Sequence, residues 1–138
     1  MTNDELLLLK GELTNDPLNL GLTVLAEDDE ANANILNEVR DSIQVYRASV
    51  PSDDILIPVD EWNALSAGQQ SWWNNQTNDG SVRPSVIASE FAIMFGPNTQ
   101  SRANFEAATK EPASRARQLL ERYVNLSPSD IANARNAT

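Results

Sequence analysis

The chain has 138 residues, which is enough for one domain with a modest core and short for two. It contains no Cys and no His, which excludes disulfides, thiol nucleophiles, Cys/His zinc sites and imidazole general bases. A formal net charge of −10 argues against autonomous nucleic-acid binding, because that needs a basic face to release counterions.

The opening residues predict a helix. Thr2 or Asn3 can cap it, Asp4 and Glu5 suit its positive end, and Leu6, Leu9 and Leu13 form an apolar stripe. Gly11 weakens its middle, and Asn15-Asp16-Pro17 ends it, since Pro17 disfavours helical backbone at Asp16. Gly21 follows in a short connection. A second helix starts in the acid cluster Glu27–Glu30 and continues through Ile35, Val39 and Ile43, which are four apart and share a face. Between Ala48 and Pro58 two readings stand. Pro51-Ser52-Asp53-Asp54 can cap a short helix at Ile55, and Ile55-Leu56-Ile57 equally suits extended chain before Pro58.

Asp60-Glu61-Trp62 starts another short helix, and Ser66-Ala67-Gly68-Gln69 has the spacing of a capping box leading through Trp72 and Trp73. Asn74–Gly80 reads as a polar turn. Pro84 suits the first position of a helix carrying Ile87, Phe91, Met94 and Phe95, ended by Gly96-Pro97. Thr99–Thr109 is expected to be helical around Phe105. Pro112 opens a further helix with Ala116, Leu119, Leu120 and Tyr123 inward, and Ser127-Pro128-Ser129-Asp130 starts a last short helix or tail. No alternating strand pattern persists and no repeat is found. The expected fold is all-α: a single small domain of about five to seven short helices, with an extended C-terminal arm. Residues 1–111 are its expected helical body, and 112–138 its C-terminal helix and docking tail.

No apolar run approaches the roughly 18–20 residues of a membrane span. Met1–Glu5 lacks the basic start of a signal peptide. Asn75-Gln76-Thr77 and Asn136-Ala137-Thr138 match the glycosylation sequon only formally. Aromatic residues make up 6% of the chain, so the core is expected to be thin and completed against neighbouring subunits.

Carboxylates are the only candidates for chemistry. Asp28-Asp29-Glu30 with Asn32 and Asn34 faintly resembles a calcium loop, but the required Gly and Glu positions hold Ala33 and Val39. Asp53-Asp54 and Asp60-Glu61 are pairs of the kind used in acid/base catalysis, yet each sits where a helix start also explains it. The five glycines are scattered singly and form no phosphate cradle. The expectation is no catalytic residue, no cofactor and no metal.

Two groups are candidates for binding a partner. Adjacent Trp72 and Trp73 on a helix point about 100° apart. Either one enters the core and the other meets a neighbour, or a loop covers both. Charge supplies the second group. Residues 1–100 hold four basic side chains against sixteen acidic, net −12, whereas residues 101–138 carry six against four, net +2. Arg115, Arg117, Arg122 and Arg135 in that basic end can grip a partner's carboxylates or line a solvated face.

Four segments carry a resemblance. They are Leu9-Lys10-Gly11-Glu12-Leu13-Thr14-Asn15-Asp16-Pro17-Leu18-Asn19-Leu20-Gly21-Leu22; Leu36-Asn37-Glu38-Val39-Arg40; Val59-Asp60-Glu61-Trp62-Asn63-Ala64-Leu65-Ser66-Ala67-Gly68-Gln69-Gln70; and Lys110-Glu111-Pro112-Ala113-Ser114-Arg115-Ala116-Arg117-Gln118-Leu119. In this order they resemble a family of small virion proteins encoded in the structural-gene clusters of long-tailed bacteriophages. The family opening is an L-K-x-E-[IL]-x-x-D-P-x-x-x-G-Y run, and a later segment contains S-R-A. Leu22 stands where the family usually has Tyr, and the C-terminus lacks the Gly-rich ending of relatives.

The resemblance implies a non-enzymatic structural protein, most similar to a head–tail adaptor or connector. Such a subunit forms a ring, typically twelve-fold, in the virion neck between the portal protein and downstream tail components. It is assembled in the host cytoplasm, without a membrane. DNA passes through the ring and is not specifically bound. Tail completion, head decoration or a small carboxylate hydrolase are the alternatives.

Overall fold

The computed structural model describes residues 1–138, and its first helix begins on the expected cap. Thr2 Oγ1 accepts from the Glu5 amide (3.1 Å) while the Glu5 carboxylate accepts from the Thr2 amide (3.0 Å), a reciprocal box that satisfies two otherwise orphaned donors. Helix α1 (Asn3–Asn15) buries Leu9, Glu12 and Leu13. It stops at Asp16, whose backbone is left-handed. The Asp16 carboxylate then accepts from the amides of Leu20 (2.8 Å), Gly21 (2.9 Å) and Leu22 (3.3 Å), so the following loop winds around one side chain. Gly21 lies at φ +95°, where a Cβ would be strained.

A 3₁₀ turn (Ala26–Asp28) leads into α2 (Asp29–Asn37). The expected continuation of α2 through Val39 and Ile43 does not occur; the chain becomes strand β1 (Val39–Tyr46). Two causes meet here. Asn37 turns its amide to the backbone of Leu126, donating to its carbonyl (2.8 Å) and accepting from its N–H (2.8 Å). Beyond it, Val39, Ile43, Val45 and Tyr46 are β-branched or aromatic, types that fit a pleated surface better than a helix.

β1 pairs with β4 (Lys110–Ser114), so the helix expected to open at Pro112 starts later. Its cap is Ser114, whose hydroxyl accepts from the Arg117 amide (3.1 Å) at the head of α7 (Arg115–Leu120). Pro112 is tolerated in the strand because a two-stranded sheet is all edge. The all-α expectation is therefore corrected: eight helices are joined by four short strands in two antiparallel sheets.

The chain forms two compact units, Met1–Gln44 with Pro112–Thr138, and Val45–Glu111. In the first, α1, α2 and α7 enclose Leu9, Leu13, Leu36, Ala116 and Leu120. The last helix, α8 (Pro128–Arg135), completes this core with the fully buried Ile131 and Ala134, and it packs on both α1 and α2. The expected extended arm at 112–138 is thus replaced by an integral element, because burying Ile131 and Ala134 is worth more than solvating them. Tyr123, expected inward, is 71% exposed.

In the second unit, β2 (Val50–Pro51) pairs antiparallel with β3 (Ser81–Val82), in the register Val50 to Val82 and Pro51 to Ser81. Residues 52–54 form a 3₁₀ turn and Ile55 is extended, which resolves the two readings of this segment. Four helices follow in chain order: α3 (Val59–Asn63), α4 (Ala67–Gln76), α5 (Pro84–Met94) and α6 (Gln100–Thr109). Phe91 is the centre of their core, with ring centroids of Phe105, Phe95 and Trp73 at 4.3, 4.8 and 5.4 Å.

Candidate assembly surfaces

Most of the residues singled out for binding a partner are engaged within their own unit. Arg115 grips Glu12 with two donors, Nε to Oε1 at 2.6 Å and a terminal nitrogen to Oε2 at 2.9 Å. The hydrogen bond to Glu12 raises the Arg115 pKa against the opposing effect of burial. Arg122 holds both oxygens of Glu5 (2.8 and 3.1 Å), and this contact, followed by the Thr2 amide, takes the Glu5 carboxyl from 4.5 down to about 2. Arg135 reaches Asp29 at 3.2 and 3.0 Å. Arg117 lies over the Tyr123 ring, 3.9 Å from its centroid. The basic end of the sequence thus neutralises acids on α1 and α2, which is why the split in charge along the chain does not survive folding as a split in space.

The tryptophans divide as adjacency on a helix requires. Trp73 is buried against Phe91, and Trp72 is half-buried at the margin of the same core, 6.4 Å from Trp73. Both pack on their own unit.

The carboxylates also have structural employment. Asp28 accepts from the Thr23 hydroxyl (2.8 Å), and Asn32 binds both backbone groups of Thr23. Glu61 caps α6 from a distance in sequence, accepting from the Gln100 amide (3.0 Å), the Ser101 amide (2.8 Å) and the Ser101 hydroxyl (2.5 Å). The bond from the Ser101 hydroxyl is the main reason that its pKa is lowered. Ser66 and Gln69 form the expected capping box. No three carboxylates converge as metal ligands would.

Several of the residues quoted for the phage resemblance hold joints. Asp16 and Gly21 shape the first loop, Glu12 and Arg115 tie its first and last segments together, and Glu61, Ser66 and Gln69 fix two helix starts. No known family model, curated protein or solved structure matches the chain.

A set of exposed, unengaged residues on the second unit combines the Asp53–Asp54 pair noted in the sequence with apolar residues that the sequence reading did not single out. Asp53 and Asp54 are exposed beside Leu56, which is 65% exposed. Val86 and Ile93 on α5 are 67% and 71% exposed. A signal was present for α5: Ile87, Phe91 and Met94 share one face while Val86 and Ile93, seven apart, form a second apolar stripe beside it, and a helix of that kind has more apolar surface than one core face can cover.

Proposed function

We propose that this chain is a non-catalytic structural subunit of a tailed-bacteriophage virion, a head–tail adaptor that forms a ring in the neck, twelve-fold as in the proteins it resembles. Its neighbours in this reading are the portal protein and a downstream tail component. The observation that carries the proposal is the Glu12–Arg115 pair. Two of the four segments that resemble the phage family lie 103 residues apart at this pair, and their most distinctive charged residues meet in a two-pronged contact. The acidic net charge suits a channel wall that lets DNA slide past without holding it. Cryo-electron microscopy of intact particles tests the reading, with density for this fold expected between portal and tail. Particles lacking the protein should have filled heads and no tails. Normal tailed particles without it would overturn the assignment.

A further inference from the structure

We infer that copies of this chain associate head to tail through the second unit, the outer stripe of α5 on one copy seating on the Asp53–Asp54–Leu56 surface of the next. This rests on the ring reading above and names the surfaces that form the ring.

The donor face is defined by Arg83. Among the ten basic side chains it alone has no ion pair, hydrogen bond or ring contact. It occupies the N-cap of α5, where it supplies no cap and places a cation at the positive end of the helix. The subunit gains nothing from it there. Arg83, Val86, Glu90 and Ile93 follow at spacings of three, four and three, which places them along one side of the helix. Val86 and Ile93, both largely exposed, are about 10 Å apart along that stripe.

The receiving face has the opposite character. Two surface depressions of about 370 and 490 Å³ share Asp53 and Leu56. The first is of mixed character, Ile57 and Trp62 standing beside Ser52, Asn74 and Thr77, and the second is mainly apolar, lined by Ala107 and Ala108 with Asn104. Asp53 and Asp54 stand at the rim with no hydrogen bond or ion pair. The exposed Leu56 and the apolar second depression, beside two free carboxylates, suit apolar side chains flanked by a cation, and α5 presents that combination. Glu90, in the middle of the stripe, is repelled by the same carboxylates, so only the register that places Arg83 against them is favourable.

Both faces belong to one compact unit, and the depression beside Arg83 and Val86 shares no lining residue with the other two. A surface and its complement at different places on one body make a heterologous contact, which repeats from copy to copy and can close into a ring.

Sedimentation velocity on the full chain at low and high salt tests this. Wild type is expected to self-associate at low salt and to weaken as salt screens the charges. Arg83→Glu alone, and Asp53→Lys with Asp54→Lys, should each weaken association by roughly a hundredfold, and the variant carrying all three changes should recover it. All three positions are exposed, so unchanged circular dichroism is expected and isolates the contact. Val86→Asp and Leu56→Asp should each be monomeric alone, yet form capped dimers when mixed, because each retains one intact face. A wild-type chain that stays monomeric at millimolar concentration overturns the contact, as does a charge swap that fails to restore assembly. Cryo-electron microscopy keeps the two failures apart: a neck ring built on other surfaces sinks this contact alone. Salt-sensitive assembly of a protein absent from virions leaves the contact standing and sinks the virion reading.

Discussion

Glu12 and Arg115 meet across 103 residues of sequence with both carboxylate oxygens engaged, and the Glu12 side chain is only 4% exposed. This is the tie between α1 and the start of α7. Breaking a buried pair strands the remaining charge, so Glu12→Gln or Arg115→Met alone should cost about 3–5 kcal/mol. Replacing both by apolar residues of similar volume should cost far less. Urea unfolding of the two single variants and the double variant measures the coupling, and additive losses would show that the pair is not a unit.

Glu5 gives the pH prediction. Its folded pKa of about 2 lies below the ordinary 4.5, chiefly through Arg122 and then the Thr2 amide. A depressed carboxyl contributes stability that is fully present above 4.5 and is lost as pH falls towards 2. An NMR titration of the Glu5 side chain should therefore have its midpoint near the lower value, and Arg122→Gln should move that midpoint upward. A midpoint that does not respond to Arg122 would remove the ion pair from the account.

The C-terminal helix is expected to be needed for folding. Deleting Ser127–Thr138 removes Ile131 and Ala134 from the first core, and Ile131→Ala alone should cost about 2–5 kcal/mol. Hydrogen exchange of the deletion variant should show lost protection in α1 and α2, with α4 to α6 retained. Unchanged protection in α1 and α2 would restore the picture of a dispensable arm.

The two tryptophans should differ. Trp73→Ala opens a cavity beside Phe91 and should cost about 3–5 kcal/mol, whereas Trp72→Ala, at the margin, should cost clearly less. Thermal unfolding of both variants decides this, and equal losses would contradict the burial seen here.

The sequence by itself determined what lies within a turn of helix. Thr2 with Glu5, Ser66 with Gln69 and Ser127 with Asp130 are three residues apart, so their caps were legible, as were Pro84 at the head of α5 and the Ile87–Phe91 core face. The exclusions drawn from missing Cys and His were equally local, being matters of composition. Only the tertiary structure decided the rest. β1 exists because β4, about seventy residues on, supplies its hydrogen-bond partners, and nothing in Val39–Tyr46 announces a neighbour that distant. α8 reads as a detachable tail until α1 and α2 are beside it to bury Ile131. The arginines read as a docking patch until Glu12, Glu5 and Asp29 are brought against them. A charge in sequence has no partner until the chain is folded. The free Arg83 and the unpaired Asp53 and Asp54 therefore became visible only once every other base had been matched.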